Sequence, residues 1–283
     1  MTVDALLESP FPDDLPSMKL EPVTDKHSIH LDDDHATARG PMKSGKALDD
    51  ATEEQVERIG ELQKMLYADA RYALLIVLQG RDASGKDGTI RKVFTAVNPQ
   101  GCMVASFKAP TEAEQRHDFL WRIHQQVPPR GMIGIFNRSH YEDVLVPRVH
   151  DLVPKHVWSA RYDQINDFEQ MLTSNGVVIL KFMLHVSRDE QKKRLIERLK
   201  NPRKNWKFRE GDLEDRALWD EYTTAYHDMI ARCSTREARW YIVPADDEDA
   251  RNLLIARTIA DTLDGLKLRY PRIDPKLKKL KIE

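Results

Sequence analysis

Within GRDASGKDG (80–88), Gly80, Gly85 and Lys86 stand in the register of a phosphate-binding loop. The usual pattern, G-x-x-x-x-G-K-[ST], ends in a hydroxyl that holds magnesium. Here the next residue is Asp87. The run LLIVLQ before the loop and GTIRKVFTAV after it supply the strand and the helix between which loop amides converge on an anion. A carboxylate among such amides is awkward unless a divalent cation is also held. Asp82 is therefore the candidate magnesium anchor in place of the missing hydroxyl. Asp87 reads as a first-turn helix residue favoured by the dipole. A tight turn with a solvated lysine is the alternative for the loop as a whole.

A second cluster follows another apolar run. In GMIGIFNRSHYEDVLVPRVH (131–150), Phe136 gives way at once to Asn137, Arg138, Ser139, His140, Tyr141, Glu142 and Asp143. In open α/β sheets the carboxyl ends of strands line the ligand crevice. Arg138 would reach phosphate there, and Glu142 or Asp143 could bind a metal or a nucleotide. The plainer alternative is that both acids only charge a helix start, with His140 a packed residue.

The third feature is charge. Residues 188–209 hold ten basic and three acidic residues, whereas 1–34 hold two basic and nine acidic. Ser187 caps this basic stretch, with Asp189 and Glu190 in an acidic first turn. Arg194 and Arg198 are four apart and share one helical face; Lys204 and Lys207 follow Pro202. A solvated helix is the bland reading. Beside a phosphate loop, the stretch reads as a lid that swings arginines over a substrate.

These groups need a scaffold that brings strand ends together. YALLIVLQ (72–79) is a short unbroken apolar run, as expected of a strand buried on both faces. CMVASF (102–107), GMIGIF (131–136), VVILKFMLHV (177–186) and ARWYIVPA (238–245) read as further strands. Helical spacing marks 49–70, 111–127, 157–172, 188–199, 213–233 and 247–266. Alternation of this kind predicts an α/β fold with a mostly parallel sheet covered on both faces.

Residues 1–45 read as an arm that is partly disordered or docks elsewhere, 46–270 as the phosphate-loop domain with a lid at about 187–216, and 271–283 as a mobile basic tail. Net charge is −2, and the two cysteines, Cys102 and Cys233, are too few and too far apart for a disulfide framework or a zinc site. No leader or membrane-spanning run is evident, so the expected setting is cytoplasmic, away from membranes.

Taken in order, GRDASGKDG (80–88), FNRSHYEDVLVPRVH (136–150) and SRDEQKKRLIERLKNPRKNWKFREGD (187–212) resemble the polyphosphate kinase 2 family, over about residues 40–270. The resemblance implies a three-layer α/β/α P-loop kinase core, thymidylate-kinase-like, with a helical lid. It implies reversible transfer of a terminal phosphoryl group between inorganic polyphosphate and AMP, ADP or ATP, with guanine nucleotides as further substrates. Magnesium, or manganese in its place, is the implied ion, and a homo-oligomer, dimer or tetramer, the implied assembly.

The family's loop aspartate and lysine fall on Asp82 and Lys86, its strand-end arginine on Arg138 and its lid arginines on Arg194 and Arg198. Gly80, Ala83, Ser84, Gly85, Lys86, Asp87, Gly88, Lys204 and Lys207 would hold the polyphosphate. Asn137, Arg138, Tyr141, Glu142 and Asp143 would hold the nucleotide, with Asn137 or Glu142 assisting Asp82 at the metal. Many members carry Asp-Arg-Ser where this chain has Asn137-Arg138-Ser139. The Asn-Arg-Ser-x-Tyr-Glu-Asp form is similar to the subgroup accepting both nucleoside mono- and diphosphates. The rival functions are an ATP-dependent nucleotide kinase and a nucleic-acid-binding module without catalysis, the latter marked by salt-sensitive binding.

Overall fold

In the computed structural model, which describes residues 18–38, 45–274, 276–277 and 280, the run Leu74–Leu78 is wholly buried. It forms the middle of β1 (Ala73–Gln79), the central strand of a five-stranded sheet. The others are β2 (Cys102–Ser106), β3 (Ile133–Asn137), β4 (Val177–His185) and β5 (Trp240–Pro244). Their order is β2-β3-β1-β4-β5 and every pairing is parallel.

Because side chains alternate along a strand, β1 feeds two cores. Leu74, Ile76 and Leu78 point into one, which is closed by α1 (Lys46–Asp69), α2 (Lys86–Val93) and α9 (Glu248–Gly265). Ala73, Leu75 and Val77 point into the other, closed by α4 (Glu142–Val149), α5 (Lys155–Ser174) and α8 (Trp219–Cys233). Each of these large side chains contributes roughly 1.5–3 kcal/mol by leaving water, which is why the run carries no polar residue before Gln79. The result is three layers, α/β/α.

Strand order places the crevice. The chain leaves β1 for β2 and β3 on one side and then crosses to β4 on the other. The carboxyl ends of β1 and β3, adjacent but followed by helices on opposite faces, therefore diverge and leave a cleft. The helix α6 (Arg188–Lys200), a turn at Asn205–Lys207 and α7 (Gly211–Ala217) overhang that cleft. Ser187 caps α6, its hydroxyl accepting from Glu190 N at 3.2 Å.

Three sequence expectations change. Residues 111–127 are not one helix but a turn at Glu114–Arg116 and the short α3 (Trp121–His124). Residues 112–119 are almost all exposed and offer no apolar face to pack, and helices are held chiefly by such packing. The expected helix over 213–233 breaks at Leu218, where φ −92° and ψ 35° separate α7 from α8. Of the expected N-terminal arm, residues 18–38 dock on their own chain: Met18, Leu20, Val23, Ile29 and Ala36 are buried. Val23 N donates to Trp240 O at 2.8 Å, beside an antiparallel bridge from Pro22 to Tyr241. Residues 1–17 and 39–44, and residues 275, 278–279 and 281–283 of the expected tail over 271–283, lie outside the described residues.

Candidate active site

The loop after β1 runs Gly80–Gly85 and delivers Lys86 to the first position of α2. Gly85 has φ 105°, and a Cβ there would collide with the Arg251 guanidinium beneath the loop. Gly80 has φ 151°, and its Cβ would press on Leu184 O at 2.6 Å. Ala83 takes a left-handed φ of 63°. These bends turn the loop back on itself. The Lys86 ammonium donates to Gly80 O at 2.7 Å and Arg81 O at 3.1 Å and lies 3.4 Å from Ser84 Oγ. Burial, and then the nearby Arg138 charge, push Lys86 down to about 8, against the pull of Asp82, Glu142 and Asp87.

Across the cleft, Arg138 follows β3 with φ 62°. Its guanidinium forks: Nη2 donates to Asp82 Oδ1 at 2.5 Å and Nη1 to Glu142 Oε2 at 3.1 Å. Glu142, then Asp82, raise its pKa further. Glu142 is itself placed by Gln79 at the end of β1, whose Nε2 donates to Glu142 Oε1 at 2.6 Å. Gly80, Arg81, Asp82, Arg138 and Glu142 thus line one pocket, with Tyr222 of α8 on its far wall.

Helix α6, the expected lid, is rooted in the loop. Gln191 Nε2 donates to Asp82 O at 3.1 Å. Arg194 donates to Ala83 O, Ala245 O and Asp246 O and pairs with Glu190. Arg198, one turn on, pairs with Asp212 of α7 at 3.3 Å. Burial, and then the Asp82 charge, push Asp212 up. Farther out, Lys207 Nζ donates to Asp87 Oδ2 at 2.7 Å, and Asn137 Nδ2 donates to Asp87 Oδ1 at 2.8 Å. Against the cost of burial, these bonds from Lys207 and Asn137 hold the Asp87 carboxyl below its ordinary value.

The expected site residues thus divide. Asp82, Asp87, Asn137, Arg138, Glu142 and the loop residues come together at the ends of β1 and β3. Lys204 instead pairs with Glu197 on the lid surface at 2.6 Å. Asp143 turns away to Arg122, at 3.2 Å. Tyr141 must be corrected: it is fully buried beneath the cleft floor, its hydroxyl donating to Glu169 at 2.8 Å and accepting from Lys181 at 2.8 Å. A side chain enclosed in this way cannot touch a nucleotide. His140 is also buried, with Nε2 donating to the same carboxylate at 3.2 Å.

Other site residues carried no local signal. Gln191, Asp215, Tyr222 and Arg251 reach the site only through tertiary packing, and Gln79, next to the loop in sequence, meets Glu142 only because β1 and β3 pair. Arg81 is a further case: its guanidinium lies 3.8 Å from the Trp219 ring centroid and donates to Trp219 O and Thr223 Oγ1.

The donor set fits a hard divalent cation. Asp82 and Glu142 are oxygen donors on facing walls of one pocket, drawn together by Arg138, with no cysteine or histidine lining it. A crevice with a phosphate loop, an ammonium, a forked guanidinium and carboxylates is equipped to position and neutralise phosphoryl groups.

Comparison with known proteins agrees with that chemistry. The model of the family Polyphosphate kinase 2 (PPK2) matches residues 43–271. An AMP/ADP-polyphosphate phosphotransferase of Meiothermus ruber is 55% identical over 226 residues, covering 80% of this chain and 85% of the relative. An ADP-polyphosphate phosphotransferase of Rhodopseudomonas palustris is 47% identical over 237 residues, covering 80% and 82%. The crystal structure of Polyphosphate Kinase 2 from Arthrobacter aurescens TC1 superposes with a TM-score of 0.79 at 38% identity, covering 92% of this chain and 97% of that one.

Proposed function

The chain belongs to the polyphosphate kinase 2 family, and from that premise we propose that its crevice moves the terminal phosphoryl group of inorganic polyphosphate onto AMP and ADP. It is a polyphosphate-dependent nucleotide kinase. What carries the reading is one crevice set between a phosphate loop and a strongly basic lid, in a chain 55% identical to an AMP/ADP-polyphosphate phosphotransferase.

Phosphoryl transfer asks mainly for in-line placement and charge neutralisation. The loop amides of Ala83–Gly88 and the Lys86 ammonium bind the transferring region. Arg138, on the opposite wall, stabilises charge gathering on the equatorial oxygens, while Asp82 and Glu142 hold its fork in place. The acceptor is a nucleotide phosphate oxygen, largely ionised at neutral pH, so no strong base is needed and Asn137 suffices where a carboxylate might stand. Arg194 fixes the lid root to the loop, and Arg198 and Lys207 lead the polyanion along the lid.

The reaction uses a divalent metal, and we propose magnesium, held by Asp82 with Glu142. When bound, it would offset phosphate charge and orient the donor. Manganese as a substitute, guanine nucleotides as further substrates, a homo-oligomer (dimer or tetramer) and a cytoplasmic setting are part of the same proposal. Consistent with the last, no described helix is long and apolar enough to cross a membrane.

The test is phosphorus NMR with magnesium, AMP or ADP as acceptor, and polyphosphate or ATP as donor. ATP formed from polyphosphate with both acceptors is expected. Formation from ADP alone would remove AMP as a substrate. Transfer from ATP but none from polyphosphate would overturn the assignment.

A further inference from the structure

Among the described residues, one group of three metal-ligating side chains lies outside the crevice. His30, Asp32 and His35 present ligand atoms that all lie within 4.8 Å of one another. The two imidazole rings stack, with centroids 4.6 Å apart and planes 16° from parallel. His35 Nδ1 is 2.7 Å from Asp32 Oδ1, and this bond holds the Asp32 carboxyl below its ordinary value.

Two imidazoles and a carboxylate suit zinc, copper or nickel better than magnesium or calcium. Ligand atoms sharing one tetrahedral zinc stand about 3.3 Å apart when its bonds are ~2.0–2.1 Å long. The imidazole lone pairs lie in the ring planes, so an ion of that size draws the rings out of their stack. His30 and Asp32 are exposed and His35 is half-buried, so a hydrated ion can enter and keep water at its open positions.

The backbone that carries these ligands is fastened to the catalytic core. His185 Nε2, at the end of β4, donates to Asp32 O at 2.8 Å. Asp246 N, just beyond β5, donates to Ala36 O at 3.1 Å. Between these ties, Asp33 Oδ1 accepts from Arg188 N at 3.0 Å. That amide is one of the first-turn donors that a helix cannot satisfy internally, and it belongs to the lid helix α6.

We propose that His30, Asp32 and His35 bind a borderline transition-metal dication such as Zn2+, and that the bound ion braces Asp33 against the first turn of α6. The site is chemically separate from the oxygen-only set around Asp82 and does not rest on the polyphosphate assignment.

The test titrates the full chain with ZnCl2 by calorimetry, without magnesium, nucleotide or polyphosphate. A single tight site is expected, weakened at least about tenfold by His30→Ala or His35→Ala and unchanged by His27→Ala. Hydrogen exchange at residues 188–191 should slow with zinc in the parent chain and not in His35→Ala. A parent chain that takes up no zinc, or variants that titrate like it, would overturn the site. Zinc bound at these three residues with unchanged exchange at 188–191 would overturn the brace.

Discussion

Arg138 joins two elements that never pair along their backbones: one arm of its guanidinium meets Asp82 of the phosphate loop at 2.5 Å, and the other meets Glu142 at the start of α4 at 3.1 Å. The loop and the start of α4 thus share one planar cation. Lysine cannot span both carboxylates, since an ammonium is a point charge. Arg138→Lys and Arg138→Ala should therefore both lose ~10²–10³ in kcat, as expected for a transition-state charge contact. Near-parental turnover of Arg138→Lys in the phosphorus NMR assay would contradict the fork.

Lys86 gives a pH signature. Its folded pKa of about 8 lies below the ordinary 10.5, so the free enzyme loses this charge as pH rises through about 8. The alkaline limb of kcat/KM for polyphosphate should fall there, since that ratio reports the free enzyme. The stability effect has the opposite sign. Below about 8 the folded chain bears the cost of a buried charge; between about 8 and 10.5 the unfolded chain holds more protons, so this contribution to stability rises with pH. A pH profile flat to 10 would remove Lys86 from phosphate binding.

Lys207 is placed to act at a distance. Its ammonium bonds Asp87 at 2.7 Å and joins the lid to α2. Lys207→Glu should raise KM for polyphosphate with a smaller change in kcat, and should flatten the dependence of KM on ionic strength. Equal losses in kcat and kcat/KM would instead place Lys207 at the reacting phosphate.

Beneath the cleft, Lys181 and Glu169 form a fully buried pair at 2.5 Å, completed by Tyr141, His140 and the Cys233 carbonyl. Removing one partner leaves the other charge without compensation. Glu169→Ala should cost about 3–5 kcal/mol, read as a lower urea midpoint. Replacing the pair together, Glu169→Leu with Lys181→Met, should recover much of that loss.

Gly85 is required twice over, by its φ of 105° and by the Arg251 guanidinium packed where a Cβ would go. Gly85→Ala should lower both stability and turnover. Adding Arg251→Ala should relieve the collision but not the backbone strain of about 1–3 kcal/mol. Full rescue in the double variant would show that strain contributes little.

Much of this was legible in the chain because the signals are local. The run Leu74–Leu78 declares a strand buried on both faces, and Gly80, Gly85 and Lys86 can only be spaced so in a turn entering a helix. Arg138 and Glu142 were legible for the same reason, as polar residues directly after an apolar strand. Arg251 and Gln191 were not, because each is brought to the loop by strand order and helix packing across long stretches of sequence. Tyr141 misled because it sits in a polar run yet rotates under the sheet, where only Glu169 and Lys181, far along the chain, explain its hydroxyl. Residues 111–127 misled because their first half, 112–118, is too exposed and polar for a neighbour to hold as helix.

Pro22 and Val23 lie along the outer side of β5, where Val23 bonds Trp240. A bare edge strand templates pairing with other chains, and Pro22 has no N–H to offer one. The stretch that carries the acidic charge of the first 34 residues therefore also makes the sheet finite at this side. It acts as a guard against strand-to-strand aggregation in a protein built to work beside a long polyanion that could crowd many copies together.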